Sequence, residues 1–240
     1  MIVMEKIRLF VFPHAGGSTA NYYKLKPYLN GNIELYPVEL AGRGDRCEEE
    51  CYDTLESAVD DLYDRIKTLL QEMPYAFFGH SMGSLIAYEL YYKIKNDELP
   101  EPKHIFFSGR ASPDAVREDE IIYHKLPLTE FEKAVVEFDY TPEILFENAE
   151  LRDFFLPILI SDFRITENYI YSEKPEKIGC PISVFSGKED DITSNELLSW
   201  KKHASVGCGI YKFNGGHFFI FKDIENVART INALLVERRL

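Results

Sequence analysis

Five consecutive residues, Gly79-His80-Ser81-Met82-Gly83, form a G-x-S-x-G pentapeptide built around a serine. A serine hydroxyl is a weak nucleophile until a nearby base takes its proton, so the motif calls for a histidine and a carboxylate elsewhere in the chain. The pentapeptide follows the apolar run Tyr75-Ala76-Phe77-Phe78 and precedes a stretch with helical spacing from Ser84 to Ile94. In that strand–turn–helix setting the hydroxyl is lifted above a sheet edge, beside the positive end of the following helix. The flanking glycines leave room for the backbone to pass closely on either side.

Of the six histidines, His217 is the expected base. It lies in Asn214-Gly215-Gly216-His217-Phe218-Phe219, after the last strand-like run and before the C-terminal helix, where a Ser…Asp/Glu…His chain order places it. His80 adjoins Ser81, but side chains next to each other at such a turn point apart, so His80 is read as structural. His104, His124 and His203 lack a glycine-bounded loop. The acid is expected after Ile182-Ser183-Val184-Phe185-Ser186-Gly187, where Lys188-Glu189-Asp190-Asp191 follows. Asp190 is preferred on its G-x-x-D spacing from Gly187. Asp191 stays the near competitor, with Glu189 and then Asp114 behind it. A tetrahedral intermediate also needs two backbone N–H donors. The residue after the nucleophile, Met82, supplies one, and Ala15 in Phe12-Pro13-His14-Ala15-Gly16-Gly17 supplies the other. Read alone, that loop also suits a phosphate-binding turn or a plain connection.

The elements that must carry these groups are visible as apolar runs rich in β-branched and aromatic residues: Ile7 to Phe12, Glu34 to Leu40, Tyr75 to Gly79, His104 to Ser108, Ile182 to Ser186 and Ile210 to Phe213. Helical spacing fills most intervals, at Leu55 to Leu70, Ser84 to Ile94, Leu197 to Ala204 and Ile224 to Leu235. Alternation of this kind predicts an α/β fold with a mainly parallel sheet covered by helices on both faces. From about Ser112 to Lys177 the alternation stops. Helical pieces at Leu128 to Phe138, Pro142 to Phe146 and Leu151 to Tyr171 predict an inserted helical lid over one end of the sheet.

At 240 residues the chain suits one such domain, spanning 1–240 with the lid at about 112–177. The formal charge of −13 argues against nucleic-acid binding, because phosphates would be repelled. The apolar start is short and interrupted by Glu5, Lys6 and Arg8, and nowhere do 18 apolar residues run together. A cytoplasmic, monomeric protein without membrane association is expected. Four cysteines with no second Cys/His pair at ligand spacing beside Cys47 and Cys51 imply free thiols and no metal site.

Taken together, FPHAGG, PVELAGRGDR, GHSMG, FFLPILISDFRITENY, the GKEDD turn, SWKK and GGHFF resemble the discrete type II thioesterases of nonribosomal peptide and polyketide synthesis, α/β-hydrolase-fold relatives of gramicidin- and surfactin-type thioesterases. The resemblance covers nearly the whole chain. It implies a small helical lid, a triad of Ser81, Asp190 and His217, oxyanion donors at Ala15 and Met82, and hydrolysis of wrong or stalled acyl groups from carrier proteins. No cofactor is implied, the 4′-phosphopantetheine arm belonging to the substrate. Lys24, Lys26, Arg110 and Arg117 are then candidates to meet its phosphate. A triad by itself is agnostic between thioester and ester, so a carboxylesterase or lipase, an acyltransferase, and a non-catalytic module that holds acylated carriers stay open beside the thioesterase reading.

Overall fold

The computed structural model describes residues 5–115, 121–137 and 144–236. Six strands, β1 (Ile7–Phe12), β2 (Ile33–Pro37), β3 (Tyr75–His80), β4 (Ile105–Ser108), β5 (Ile182–Gly187) and β6 (Cys208–Phe213), pair in the order β2-β1-β3-β4-β5-β6, every neighbour parallel. Helices α1 (Thr19–Tyr22), α2 (Leu55–Ile66) and α3 (Met82–Asn96) precede an irregular-to-helical segment between β4 and β5. That segment carries α4 (Leu128–Glu137), α5 (Ile144–Glu147) and α6 (Ala149–Glu167), and the chain closes with α7 (Ser194–Ser199), α8 (Phe219–Lys222) and α9 (Ile224–Leu235).

The strands read as continuous apolar runs because helices cover both faces of the sheet. Alternate side chains sort accordingly. Phe10, Phe12, Tyr75 and Phe77 join Leu62, Ile66, Leu85 and Ile86 of α2 and α3 in one core, and Leu9, Val11, Ala76 and Phe78 join Val227 and Ile231 of α9 in the other. From β1 the chain goes to β2 on one side and then to β3 on the other. The loops leaving β1 and β3 therefore diverge, and the crevice beyond the carboxyl ends of such strands is where open α/β sheets bind ligands.

Element boundaries depart from the sequence reading where burial and pairing part company. The run Glu34 to Leu40 pairs only as far as Pro37, opposite Val11; Val38 makes one further bond, N–H to Val11 O at 2.9 Å. Val38 and Leu40 are apolar because they are buried in a loop, not because they continue the strand. Likewise Leu197 to Ala204 is no single helix. A capping box, in which Thr193 accepts from Glu196 N–H, starts α7 earlier, and the chain tightens to a 3₁₀ turn over Trp200–His203.

The segment between β4 and β5 is helical, as the spacing predicts, and has a small core of its own in Phe131, Val135, Leu156 and Leu159. The expected helix end at Phe138 and the start at Pro142 lie outside the described residues. Helix α6 is fastened to the sheet side: Ser161 Oγ donates to Tyr52 O at 2.7 Å, and Arg164 donates to Asp53 Oδ1 at 2.9 Å. Among the described residues no helix is long and apolar enough to cross a membrane.

Two glycines set how closely α3 follows β3. A Cβ on Gly79 would lie 2.1 Å from Gly83 O, and one on Gly83 would lie 2.0 Å from Phe12 O, both main-chain atoms. Gly83→Ala is therefore expected to lower stability by about 3 kcal/mol. Urea unfolding measures it, and a midpoint equal to wild type would show that the turn opens at no cost.

Candidate active site

Ser81 sits at φ 54°, ψ −114°, one of two non-glycine residues at positive φ among the described residues. Such a conformation costs on the order of 1–3 kcal/mol and persists only where its surroundings enforce it. Here Ser81 N–H donates to Ser108 O at 2.7 Å, and Ser81 O accepts from Ser84 N–H at 2.9 Å. Ser84 Oγ donates to Gly79 O at 2.8 Å and accepts from Ser108 N–H at 3.0 Å, tying the turn to the end of β4.

His217 stands between β6 and α8, after Gly215 at φ 107°. Its Nδ1 lies 3.3 Å from Asp190 Oδ1, with the Asp190 side chain 6% exposed and the His217 ring 26% exposed. The two loops meet main chain to main chain: a Cβ on Gly187 would fall 2.2 Å from Gly216 O, and Glu189 N–H donates to Gly215 O at 3.1 Å. Glu189 and Asp191 are exposed, so among the four candidate acids only Asp190 is brought to the imidazole. Asp114 has other partners, His203 Nε2 at 2.8 Å, Lys202 Nζ at 2.9 Å and Ser112 Oγ at 2.5 Å. Burial pushes the Asp114 carboxyl up, but these donors outweigh it and hold it well below the usual carboxylate range.

Ser81, Met82, Ala15, Asp190, Asp191 and His217 all line one cavity of about 720 Å³ beyond the carboxyl ends of the strands. Arg110 and, from the segment between β4 and β5, Ile122, Tyr123, Phe163 and Tyr169 complete its walls. Of the other candidate phosphate contacts, Lys24 and Lys26 are exposed on the 3₁₀ stretch Tyr23–Tyr28 away from that lining, and Arg117 lies outside the described residues.

Beneath His217 the rings continue inward, with His80 at 5.2 Å between centroids and His14 a further 5.9 Å from His80. His80 Nδ1 lies 2.9 Å from Ser108 Oγ, and His14 Nδ1 lies 2.7 Å from Tyr22 Oη. Burial pushes the His14 imidazole down to about 3, helped by the nearby His217 and Arg43 charges. Burial likewise holds His80 well below its usual value, with His217 and His14 adding to it. The remaining histidines serve as local fasteners: His203 on Asp114, His124 on Glu167 and His104 on Ser183.

Two parts of the site lay beyond the sequence reading. Gly109, at φ 63° after β4, faces the rings: a Cβ there would sit 2.6 Å from His80 Cε1 and 3.3 Å from His217 Cε1. A glycine ending an apolar strand was its only signal. Asp162 of α6 accepts from Gly16 N–H at 2.7 Å and pairs with Arg43, and nothing in local spacing joins positions that far apart.

The family model for the thioesterase domain matches residues 7–235. The chain belongs to the thioesterase family. It is 36% identical to the protein named linear gramicidin dehydrogenase LgrE of Brevibacillus parabrevis, over 98% of this chain and 90% of that one. Among solved structures it is similar to ClbQ from the colibactin NRPS/PKS pathway (36% identity, TM-score 0.91, 96% and 97% of the two chains). It also matches the type II thioesterase BorB from the borrelidin biosynthetic cluster (28% identity, TM-score 0.85, 96% and 93%). The resemblance to type II thioesterases drawn from the motifs is thus borne out, as is the α/β-hydrolase fold class. The word dehydrogenase belongs to the relative's name. In this thioesterase-family chain the loop after β1 reads Pro13-His14-Ala15-Gly16-Gly17-Ser18, without the G-x-G-x-x-G that cradles a dinucleotide pyrophosphate.

Because His14 is neutral when folded down to about pH 3 but titrates near 6.5 when unfolded, the unfolded state binds more protons between those values. Stability is therefore expected to fall as pH drops from about 6.5 towards 3, by up to about 1.4 kcal/mol per pH unit from this group. His14→Gln is expected to flatten that slope in urea melts run across the window. Parallel slopes for wild type and variant would exclude a buried neutral His14.

Proposed function

We propose that this thioesterase-family enzyme clears acyl and aminoacyl groups from the phosphopantetheine arm of carrier proteins in nonribosomal peptide or polyketide synthesis, with Ser81 as nucleophile, His217 as base and Asp190 as its orienting acid. The observation that carries this reading is the meeting of three loops at one cavity: the strained Ser81 turn, and the His217–Asp190 pair at 3.3 Å. The family membership and the NRPS/PKS setting of the similar structures support the substrate class.

In this reading His217 Nε2 takes the Ser81 proton as Oγ attacks the thioester carbonyl, and the Ala15 and Met82 N–H groups receive the oxyanion. Collapse expels the pantetheine sulfur, which takes the proton from His217. A thiol with an ordinary value near 8.5 leaves more readily than an alkoxide, so modest general-acid help suffices. Water then attacks the acyl-serine as His217 accepts its proton, and the acyl C–Oγ bond breaks as His217 returns that proton to Ser81, releasing the free acid. Every step uses groups of the chain itself, without a metal or cofactor. The segment 112–177 acts as the lid of a single domain, its Phe163 and Tyr169 forming the apolar side against which an acyl chain would lie.

Ser81→Ala and Asp190→Asn are each expected to lower kcat on an acylated carrier protein by about 10³-fold or more, and Asp191→Asn to change it less than about twofold. An Asp191 effect as large as that of Asp190 would reverse the assignment of the acid. Wild type is expected to favour the carrier-bound thioester over a soluble alkyl ester of the same acyl group. Equal kcat/KM on both would point to a general esterase instead.

A further inference from the structure

We propose that Asp162, clamped by Arg43, is a positioning residue for the Ala15 N–H donor, so that the seating of α6 sets the oxyanion site. The proposal rests on the reading of Ala15 given above and deepens it. In a trans peptide the C=O and the following N–H point to opposite sides. The His14 carbonyl accepts Gly17 N–H at 2.9 Å, which turns it into the loop and directs the Ala15 N–H of the same peptide outwards. Ala15 lines the cavity. The next peptide is fixed by Asp162, whose Oδ2 accepts Gly16 N–H at 2.7 Å. Both peptide planes flanking Ala15 are thus held, and its dihedrals with them.

The holding group comes from a helix 146 positions away. Asp162 is 1% exposed and Arg43 2%. Arg43 Nη1 and Nη2 donate to Asp162 Oδ2 and Oδ1 at 2.6 and 2.7 Å, and Nη1 also donates to Gly17 O at 3.2 Å. The pair therefore grips the loop at two successive residues, the carboxylate taking the Gly16 N–H and the guanidinium giving to the Gly17 carbonyl. Leu159, one turn back on α6, closes on the same spot, since a Cβ on Gly16 would fall 2.4 Å from its Cδ2. A bare carboxylate next to an oxyanion site would oppose the charge that develops there. Bidentate pairing with Arg43 cancels that field while leaving Oδ2 free to accept a third bond.

Asp162→Asn keeps the shape and loses the charge, and Arg43→Lys keeps the charge and loses the fork; the second carries the test should the first not fold. Thermal melts report folding, and fluorophosphonate titration counts competent Ser81. Expected for Asp162→Asn is a fall of about 10- to 100-fold in kcat per titrated serine on a soluble acyl thioester, with KM changed less than about threefold. Affinity for an alkylboronic acid, whose tetrahedral serine adduct places an oxygen in the site, should weaken by a similar factor, and Arg43→Lys should fall between. A melting temperature that drops while kcat per titrated serine and boronate affinity stay at wild-type values would overturn the proposal and leave the pair as a brace. Failure of the parent reading shows separately, as wild-type thioester turnover that survives Ser81→Ala.

Discussion

Because Gly83 has no side chain, the first turn of α3 lies against the Phe12 and Pro13 carbonyl groups, where a Cβ would come within 2.0 Å of main-chain oxygen. That contact fixes how closely the start of α3 approaches the end of β1. The chain must then leave β3 and enter α3 within a single residue, and Ser81 takes φ 54° to do so. The strain is held by Ser108, whose carbonyl receives the Ser81 N–H, and by Ser84, whose hydroxyl ties Gly79 to Ser108. Gly79 of β3, Gly83 and Ser84 of α3 and Ser108 of β4 therefore determine where one hydroxyl points. The loop after β1, which carries Ala15, starts beside the residue that Gly83 abuts, so the candidate nucleophile and the candidate oxyanion donor share one spacing constraint.

The charge arrangement follows from the same crowding. Three imidazoles stand in a row, His217, His80 and His14, with centroids 5.2 and 5.9 Å apart. Three positive rings at such spacing in a dry interior would repel one another strongly, and burial already disfavours charge on the inner two. His80 and His14 therefore stay neutral, and each uses one ring nitrogen locally, towards Ser108 and Tyr22. His217, at the cavity wall and facing the Asp190 carboxylate, is the ring at which a transient positive charge is best tolerated. A glycine at 109 is needed because a Cβ there would press on both His80 and His217.

What was legible in the sequence was what local spacing encodes. Continuous apolar runs gave the strands because both sheet faces are covered, and the G-x-S-x-G turn lay between a strand and a helix as its sterics demand. The order Ser, Asp, His brought Asp190 and His217 together, and the structure separates Asp190 from its neighbours by burial, a property that a run of three acidic residues does not reveal. Val38 and Leu40 misled as strand because an apolar residue in a buried loop looks the same as one in a sheet. Phe131 and Phe163 turned out inward and Phe154 outward, which helical spacing leaves undetermined until α4 and α6 have a partner. Arg43 and Asp162 were beyond reach for a plainer reason. A salt bridge between positions 119 apart has no signature at either end, and a charged residue is by default expected at the surface.

The segment between β4 and β5 is accordingly two things mechanically. Helix α6 is bound to the body by the buried Arg43–Asp162 pair, by Ser161 and Arg164 on the Tyr52 carbonyl, and by Ile165 in the main core. Removing one partner of such a buried pair costs on the order of 3–5 kcal/mol, so the pair ties α6 strongly to the body. By contrast α4 buries Phe131 and Val135 alone among its residues and α5 buries none, while Leu128 and Ile144 stay exposed. Local opening energies follow buried contact, so within this segment α4 and α5 are held less firmly than α6. Phe163 and Tyr169, on the α6 side, line the same cavity as Ser81. A tightly anchored α6 and a lightly anchored α4 and α5 thus follow one another within a single crossover, and the loops that carry Ser81, Asp190 and His217 belong to neither.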